Sequence, residues 1–198
     1  MDFNIIEYLM RGTPKQQEAY NVLTKYSLME YLQPYSPILA GTIPIDIDIE
    51  NSDLDIICYW EYVDQFKVNL FKYFSGYKDF QLVDKMVQDQ RTVIANFIVE
   101  SFEIEIFGQN KPSQEQYAYR HMVVEYYLLL SKGNQFRQTI RELKEQGFKT
   151  EPAFAHALGL KGDPYLEFLK YEEKIKPYLP TSLLKSIKTL FSRDVGDN

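Results

Sequence analysis

Residues 41–57 constrain the fold most, because a glycine-containing turn there leads into alternating apolar and acidic side chains. Alternation with a period of two is typical of a β-strand that has one buried face. Asp53 and Asp55 then point the same way, about 7 Å apart along the strand, while Leu54 and Ile56 face the opposite layer. Two carboxylates in this arrangement can share a divalent cation, so the sequence predicts a metal site on this strand.

A phosphate-binding element is predicted just upstream of the acidic pair. Magnesium uses one or two protein carboxylates and completes its shell with water and phosphate oxygens. Gly41 and Thr42 follow the apolar run 38–40, and a glycine there lets backbone N–H groups and the threonine hydroxyl approach an anion closely. Ser52 directly precedes Asp53. We therefore expect Gly41, Thr42 and Ser52 to form the phosphate side of the site.

A third carboxylate is predicted on a second alternating strand, residues 102–107. Glu105 is the preferred residue, because Phe107 and Gly108 follow it and place it near the end of that strand. Glu103 shares its face, so periodicity alone leaves Glu103 as the alternative.

The acidic alternation also has a simpler interpretation, in which half-buried strands carry solvated acidic faces. Residues 45–49 alternate in the same way, and for Asp46 and Asp48 this interpretation is the favoured one. For Asp53 and Asp55 the metal site is favoured, because the glycine turn and the preceding serine stand at appropriate offsets.

These residues resemble the nucleotidyltransferase superfamily, whose pattern is Gly-Ser or Gly-Gly, a strand with Asp-x-Asp, and an acidic residue on a later strand. Gly41 and Thr42 take the place of the glycine pair, with threonine where serine is commoner. Asp53 and Asp55 take the place of the metal-binding pair, and Glu105 that of the third carboxylate.

A closer resemblance, to a bacterial family of unknown function placed in that superfamily, covers most of the chain. It rests on the motifs Gly-Thr-Ile-Pro-Ile-Asp-Ile-Asp, Ser-Asp-Leu-Asp-Ile-Ile-Cys, Ile-Glu-Ile-Phe-Gly-Gln, Ala-Tyr-Arg-His and Lys-Thr-Glu-Pro-Ala-Phe-Ala.

The resemblance implies transfer of a nucleoside monophosphate from a nucleoside triphosphate to a hydroxyl or amine, with pyrophosphate leaving. It implies Mg²⁺ or Mn²⁺ held by Asp53, Asp55 and Glu105, with Glu105 also a candidate base. One ion would lower the pKa of the acceptor hydroxyl, and the other would neutralise charge on the triphosphate.

The remaining pattern predicts an α+β fold, α/β-like in part, with a mixed sheet flanked by helices. The resemblance implies that this sheet is of nucleotidyltransferase type. Residues 1–111 form the core with its N-terminal helices, and residues 112–198 form a helical C-terminal region, either separate or one compact unit with the core. In the N-terminal part we predict a short helix capped by Asp2 or Asn4 and ending at Gly12, and a second helix begun by Thr13 and Pro14. The sheet region is predicted to contain a crossover helix over 61–74 and strands 80–87 and 92–99 joined near Asp89. The C-terminal part is predicted to contain a helix over 113–131 opened by a capping box of Ser113 and Gln116, a helix over 134–144, and helices beginning at Thr150, Pro164 and Thr181.

The helix after Ser113 carries further candidates. Arg120 is predicted either to clamp a phosphate or to pair with Glu125 or Glu103. For His121 the favoured interpretation is a structural histidine with one hydrogen bond, and the alternative is substrate contact or proton transfer. Gln109 is predicted to contact the base or the acceptor. Lys149, Lys161 and His156 are interpreted as carrying no site role.

Composition limits the classes of partner that the chain is expected to bind. The chain of 198 residues has a net charge of −6, which argues against extended nucleic-acid binding through counterion release. We expect a nucleoside triphosphate and a small-molecule or protein acceptor. A single cysteine, Cys58, allows no intrachain disulfide and favours the cytoplasm. No signal pattern opens the chain and no apolar run is long enough for a membrane span.

Three functional hypotheses follow. The leading one is a metal-dependent nucleotidyltransferase. The second is a catalytically silent binding or regulatory module of the same fold, for example a toxin–antitoxin partner, against which the intact carboxylates count. The third is a metal-dependent phosphohydrolase or nuclease, which the lack of a histidine-rich cluster disfavours and which pyrophosphate release would distinguish from the first.

Overall fold

A five-stranded mixed β-sheet forms the centre of the protein, as seen in a computed structural model that describes residues 1–175. The strands are β1 (Ile38–Ala40), β2 (Leu54–Tyr59), β3 (Lys78–Val87), β4 (Gln90–Val99) and β5 (Phe102–Gln109), arranged in the order β1-β2-β5-β4-β3. Strands β2 and β5 run parallel, and the other neighbouring pairs are antiparallel. The predicted mixed sheet of an α+β fold is confirmed.

Helices cover both faces of the sheet. They are α1 (Pro14–Lys25), α2 (Leu28–Leu32), α3 (Val63–Phe74), α4 (Tyr117–Lys132), α5 (Asn134–Glu145), α6 (Thr150–Leu158) and α7 (Pro164–Ile175), with short 3₁₀ helices at Glu7–Arg11, Gln33–Tyr35, Ile43–Ile45 and Ser113–Glu115. The helix predicted from Thr181 lies outside the described residues. No helix within residues 1–175 has both the length and the apolar character that a membrane span requires.

The connection from β2 to β5 contains the predicted crossover helix and hairpin, as a parallel pair requires. Helix α3 begins two residues later than predicted, at Val63, and the hairpin strands are longer than predicted. The hairpin turn consists of Gln88 and Asp89, whose φ angles of 49° and 60° are both positive. Two positive φ angles give the turn the twist that a two-residue hairpin needs.

Two predicted helix starts are wrong. The first short helix is a 3₁₀ helix capped by Ile6, while Asp2 instead accepts a hydrogen bond from the backbone N–H of Asn4. Helix α4 begins at Tyr117 without a capping box. Ser113 and Gln116 are used for tertiary contacts, since Ser113 donates to the carbonyl of Ser36 and Gln116 to the carbonyl of Cys58 in β2. The helix start at Thr13 and Pro14 is confirmed, with the Thr13 side chain accepting from the N–H of Gln16.

Alternate residues of β2 face different layers, as predicted. Leu54, Ile56 and Cys58 belong to a hydrophobic cluster with α1, α2 and α3. Ile57 belongs to a second cluster, together with Ile38 and Ala40 of β1 and buried residues of α4, α5 and α6. Asp55 alternates with Leu54 and Ile56 and therefore lies on the α4 face.

The loop between β1 and β2 does not continue the strand alternation at residues 45–49. Asp46 adopts a left-handed conformation (φ 60°) directly after the 3₁₀ helix, which breaks the extended pattern. Its side chain is not merely solvated, because Arg141 and Arg137 of α5 form ion pairs with it at 2.5 and 3.5 Å. Arg137 also donates to the carbonyls of Ile45 and Asp46. Helix α5 is thereby fixed to the loop that follows Gly41.

Gln16 of α1 holds the same loop from its other side. Its side-chain amide donates to the carbonyls of Ile43 and Pro44 at 2.8 and 3.3 Å, and its oxygen accepts from the N–H of Thr13. We expect Gln16→Ala to lower the free energy of unfolding by about 1–3 kcal/mol, because it removes the side-chain donor to the buried carbonyls of Ile43 and Pro44. Urea denaturation measures this loss.

Asn21 on the same helix provides the control, because its side chain is exposed. Asn21→Ala should change the free energy of unfolding by no more than about 0.5 kcal/mol. Equal effects of the two substitutions would contradict the role assigned to Gln16.

Candidate active site

A cavity of about 560 Å³ opens on the face of β2 and β5 that is turned toward α4, α5 and α6. Every predicted site residue except Arg120 lines it: Gly41, Thr42, Ser52, Asp53, Asp55, Glu105, Gln109 and His121. A second cavity of about 580 Å³ lies beside the N-terminal segment; its lining has one carboxylate, Glu7, and no Lys, Arg or His. The first cavity is therefore the candidate site.

The sheet register brings the three predicted carboxylates together. Asp55 and Glu105 are direct neighbours in the parallel pair of β2 and β5. Asp53 precedes β2 and is exposed, whereas Asp55 and Glu105 are half-buried. Glu103 is exposed and does not line the cavity. The structure thus brings Glu105, and not Glu103, to the acidic pair.

The three carboxylates repel one another. Burial, followed by the charges of Asp53 and Glu105, raises the pKa of Asp55 to about 8. Burial and the charge of Asp53 also raise the pKa of Glu105. None of the ion pairs within residues 1–175 includes any of the three. Their negative charge is therefore largely uncompensated by neighbouring side chains.

The donor set fits a hard divalent cation that takes few protein ligands. Among the described residues, no group of three or more His, Cys, Asp or Glu side chains lies close enough together to hold a metal ion by itself. Mg²⁺ needs only one or two carboxylates and keeps water and phosphate oxygens as its other ligands. A cation held by two of the carboxylates Asp53, Asp55 and Glu105 would offset the burial and the repulsion that raise the pKa of Asp55.

Gly41 is required at its position for two reasons. Its φ of +80° lies in the left-handed region, which side chains disfavour. A Cβ atom at this position would lie 2.2 Å from Oδ2 of Asp55. The turn after β1 can therefore cover the Asp55 carboxylate only if it contains glycine.

A hydrogen bond between the hydroxyl groups of Thr42 and Ser52 links the two ends of the loop between the glycine turn and the acidic strand. Thr42 Oγ1 donates to Ser52 Oγ at 3.2 Å, and Ser52 Oγ accepts from the N–H of Ile49 at 2.9 Å. Both residues line the cavity. The serine before Asp53 thus joins the two halves of the predicted phosphate side.

Arg120 does not reach the cavity. Its guanidinium donates to Glu172 of α7, with distances from Nε of 3.0 and 3.3 Å to the two carboxylate oxygens. The predicted partners Glu125 and Glu103 were wrong, because α7 packs on α4 and brings Glu172 to Arg120 from 52 residues away. Arg120 joins two helices, and its donors are directed at a buried carboxylate.

The side chains of His121 and Gln109 each make one hydrogen bond to a neighbouring side chain. Nδ1 of His121 lies 3.0 Å from Oε1 of Glu151, which is the single hydrogen bond expected for this residue. The amide of Gln109 donates to the hydroxyl of Thr92 at 2.9 Å. Both residues are buried and line the cavity, so each has a structural contact at the edge of the candidate site.

Sequence patterns missed three charged residues of the site, Lys144, Glu125 and Glu151. All three line the cavity; Lys144 and Glu125 are buried, and Glu151 is half-buried. Burial lowers the pKa of Lys144, and the nearby charges of Glu125, Asp48, Asp53 and Asp55 oppose this effect. Burial raises the pKa of Glu125 well above its usual range. The available signal was Glu125 itself, an acidic residue within an otherwise apolar stretch of α4.

Lys149 was interpreted from sequence as an ordinary solvated charge. It is exposed, as expected, but it lines the cavity beside Thr150 at the start of α6. Together with Lys144 it places positive charge opposite the carboxylates.

Comparisons with known proteins agree with the geometry. Residues 21–171 match the model of a family described as "Domain of unknown function (DUF4269)". No curated protein matches the chain. The chain is similar in structure to Cid1 poly(U) polymerase with MgGTP bound, at 11% identity and a TM-score of 0.53 over 77% of this chain and 53% of that one. It is also similar to a cytoplasmic RNA terminal U-transferase, at 12% identity and a TM-score of 0.51 over 74% of this chain and 48% of that one.

The chain therefore spans about half the length of these solved structures. At such low identity the similarity shows the fold, which is nucleotidyltransferase-like, as the sequence predicted.

Replacement of Gly41 tests its close approach to Asp55. We expect Gly41→Ala to cost more than the roughly 1–2 kcal/mol that a left-handed backbone imposes on a side chain, because the Asp55 carboxylate must also move. Gly159→Ala shares the positive φ, at 65°, but its Cβ meets nothing within 4 Å, and Gly76→Ala has neither problem. Urea denaturation should rank the losses as Gly41, then Gly159, then Gly76. Equal losses at Gly41 and Gly159 would contradict the contact with Asp55.

The pKa of Asp55 predicts how stability depends on pH. In the folded protein this carboxyl keeps its proton up to a pH of about 8, whereas its ordinary pKa is 3.8. Between these values the folded state binds the extra proton, so the contribution of Asp55 to the free energy of unfolding falls as pH rises. At pH 8.5 we expect the metal-free Asp55→Asn protein to have a higher Tm than wild type. Each kcal/mol by which the substitution raises the free energy of unfolding should raise Tm by about 2–4 °C. The difference should vanish near pH 4.

Thermal denaturation in the presence of a chelator makes this measurement, with Glu103→Gln as an exposed control on β5. A difference between Asp55→Asn and wild type that is the same at both pH values would refute the cause assigned to it.

Proposed function

The chain belongs to the DUF4269 family, and from its site we propose that it is a metal-dependent nucleotidyltransferase. The reaction transfers a nucleoside monophosphate from a nucleoside triphosphate to a hydroxyl or amine and releases pyrophosphate. The acceptor is a small molecule or a protein side chain.

The observation that carries this proposal is the position of Asp53, Asp55 and Glu105 on one wall of a cavity, with no ion-pair partner among the described residues. Nearby arginines are committed elsewhere, since Arg137 and Arg141 pair with Asp46. Burial and mutual repulsion thus disfavour the ionised form of these carboxyl groups in the empty protein, which favours a bound cation as their counterpart.

The carboxylates have distinct places in the proposed site. Asp55, buried beneath the glycine turn, and Asp53, at the mouth, would hold the ions together with Glu105. Mg²⁺ or Mn²⁺, when bound, would lower the pKa of the acceptor group and neutralise charge on the triphosphate. Such chemistry depends mainly on positioning and charge stabilisation.

The phosphate groups of the triphosphate are assigned to the glycine turn and the loop that follows it. The backbone at Gly41 and the hydroxyl of Ser52 would donate hydrogen bonds to phosphate oxygens, and the hydroxyl of Thr42 would orient that of Ser52. Lys144 adds a buried positive charge on the facing helix α5. Gln109 is assigned to the base or the acceptor at the end of β5, with its amide anchored by Thr92.

The fold supports the triphosphate part of the proposal, because Cid1 poly(U) polymerase has a similar fold and has been seen with MgGTP bound. The net charge of −6 favours an acceptor other than extended nucleic acid. The single, buried Cys58 is consistent with a reducing cytoplasm in a bacterial cell.

Calorimetric titration of each nucleoside triphosphate, with and without Mg²⁺, tests the proposal. We expect binding by wild type to require the metal. Asp55→Asn should weaken it by about a hundredfold or more, equivalent to about 2.8 kcal/mol, because a ligand carboxylate is lost. Asp53→Asn should weaken it in the same direction.

Glu103→Gln is the matched control, since Glu103 lies on β5 like Glu105 but is exposed and outside the cavity. It should bind as wild type does, and Glu105→Gln should not. Mg²⁺-dependent binding that survives Asp55→Asn would refute the site. Absence of binding by every triphosphate would favour the catalytically silent module, and release of phosphate instead of pyrophosphate would favour a phosphohydrolase.

A further inference from the structure

Gln116, at the N-cap of α4, and His121, in its first turns, are buried residues of the cavity whose hydrogen-bonding capacity is only half used. Nε2 of Gln116 donates to the carbonyls of Cys58 and Lys111 at 2.8 and 2.9 Å, which fixes the orientation of the amide. Its Oε1 is buried and has no hydrogen-bond partner within the described residues. Gln116 therefore offers an acceptor atom at the cavity wall.

His121 has the same character. Its Nδ1 lies 3.0 Å from Oε1 of Glu151. We assign the ring proton to Nδ1, because a carboxylate oxygen is an acceptor there, and this tautomer leaves the lone pair on Nε2. Nε2 is buried and also lacks a partner among the described residues. Interior acceptors without a donor are rare in folded proteins, and each calls for a group that donates to it.

The imidazole ring is held in place from several sides. The ring of Tyr117 stacks on it, with centroids 6.1 Å apart and an angle of 22° between the planes. The rings of Tyr165 and Phe168 lie 6.3 and 6.1 Å from it. Glu151 occupies Nδ1, and His121 also lines the cavity, so the cavity is the open space beside the ring. A carboxylate that fixes the tautomer and orientation of a histidine prepares it to accept a proton.

The charges around His121 favour a neutral ligand over an ammonium group. The charged residues of the cavity outside the metal-binding strands are Glu125 and Glu151, and Lys144 and Lys149. Both lysines line the cavity on this side and would repel an ammonium group. A hydroxyl group satisfies an unpaired acceptor without adding charge.

We propose that the α4 wall of the cavity is the acceptor subsite and takes a hydroxyl group, with His121 accepting its proton and Gln116 orienting the acceptor molecule. The assignment rests on the nucleotidyltransferase function proposed above and names the class of its acceptor. Glu151 is a positioning residue, because it acts on the acceptor only through the ring of His121. Glu105 then serves as a metal ligand and is not needed as the base.

The step conserves atoms and electrons. The acceptor oxygen forms a bond to the α-phosphorus of the triphosphate as its proton passes to Nε2 of His121. The bond between the α-phosphorus and the oxygen that bridges to the β-phosphorus breaks, and pyrophosphate leaves with that electron pair. The imidazolium then returns its proton to water.

The tautomer of His121 can be measured without any substrate, because the chain contains only two histidines. Long-range ¹H–¹⁵N spectra of the full-length ¹⁵N-labelled protein should show His121 as the Nδ1–H form, with the exposed His156 as internal reference. Glu151→Gln should weaken this preference. A wild-type His121 found in the Nε2–H form overturns the inference, because Nε2 would then donate and could not accept the proton.

Release of pyrophosphate from Mg²⁺-triphosphate, with glycerol as the probe hydroxyl, provides the second test. His121→Gln keeps a hydrogen-bonding side chain but cannot take a proton, so we expect the rate to fall by about 100-fold or more while the triphosphate Kd is unchanged. His156→Gln is the matched control and should react as wild type does. A His121→Gln protein that retains the wild-type rate overturns the inference and leaves the proposed function intact.

Failure of the proposed function would look different. In that case Asp55→Asn binds Mg²⁺-triphosphate as well as wild type does, whatever the state of His121.

Discussion

The close approach of the Gly41 turn to the Asp55 carboxylate is the constraint on which the rest of the site depends. A side chain at position 41 would collide with Asp55, so the absence of Cβ decides how near the turn comes to β2. The antiparallel pairing of β1 with β2 places Ala40 beside Asp55, and the parallel pairing of β2 with β5 places Glu105 on its other side. One backbone arrangement thus brings together the glycine turn and two carboxylates.

The helices complete this arrangement by dividing the acidic residues into two groups. Asp46 is neutralised by Arg137 and Arg141, which hold α5 against the loop. The site carboxylates receive no such partner, and burial together with their mutual repulsion raises the pKa of Asp55. Because α5 is held in this position, its Lys144 reaches the cavity as the buried cation opposite them. The two arginines of α5 therefore stabilise the fold, and the site carboxylates are left without an arginine partner.

Much of the fold could be predicted because its signals are local. Alternating side chains identified β2 and β5, Thr13 with Pro14 identified the start of α1, and a turn near Asp89 identified the hairpin. The errors came where a polar side chain had two uses. Gln116 and Ser113 match a capping box, yet they bond to backbone carbonyls of Cys58 and Ser36. Asp46 matches a strand residue, yet ion pairs with α5 and a left-handed backbone override the alternation.

The sequence by itself determined the elements and the candidate carboxylates, because periodicity and turn chemistry depend on residues that are neighbours along the chain. Only the tertiary structure decided between Glu105 and Glu103, paired Arg120 with Glu172, and placed Lys144, Glu125 and the His121–Glu151 pair in one cavity. These outcomes depend on strand register and helix packing, which join residues dozens of positions apart. Such contacts depend on how the sheet and helices pack their apolar faces together, and a local sequence pattern does not specify that packing.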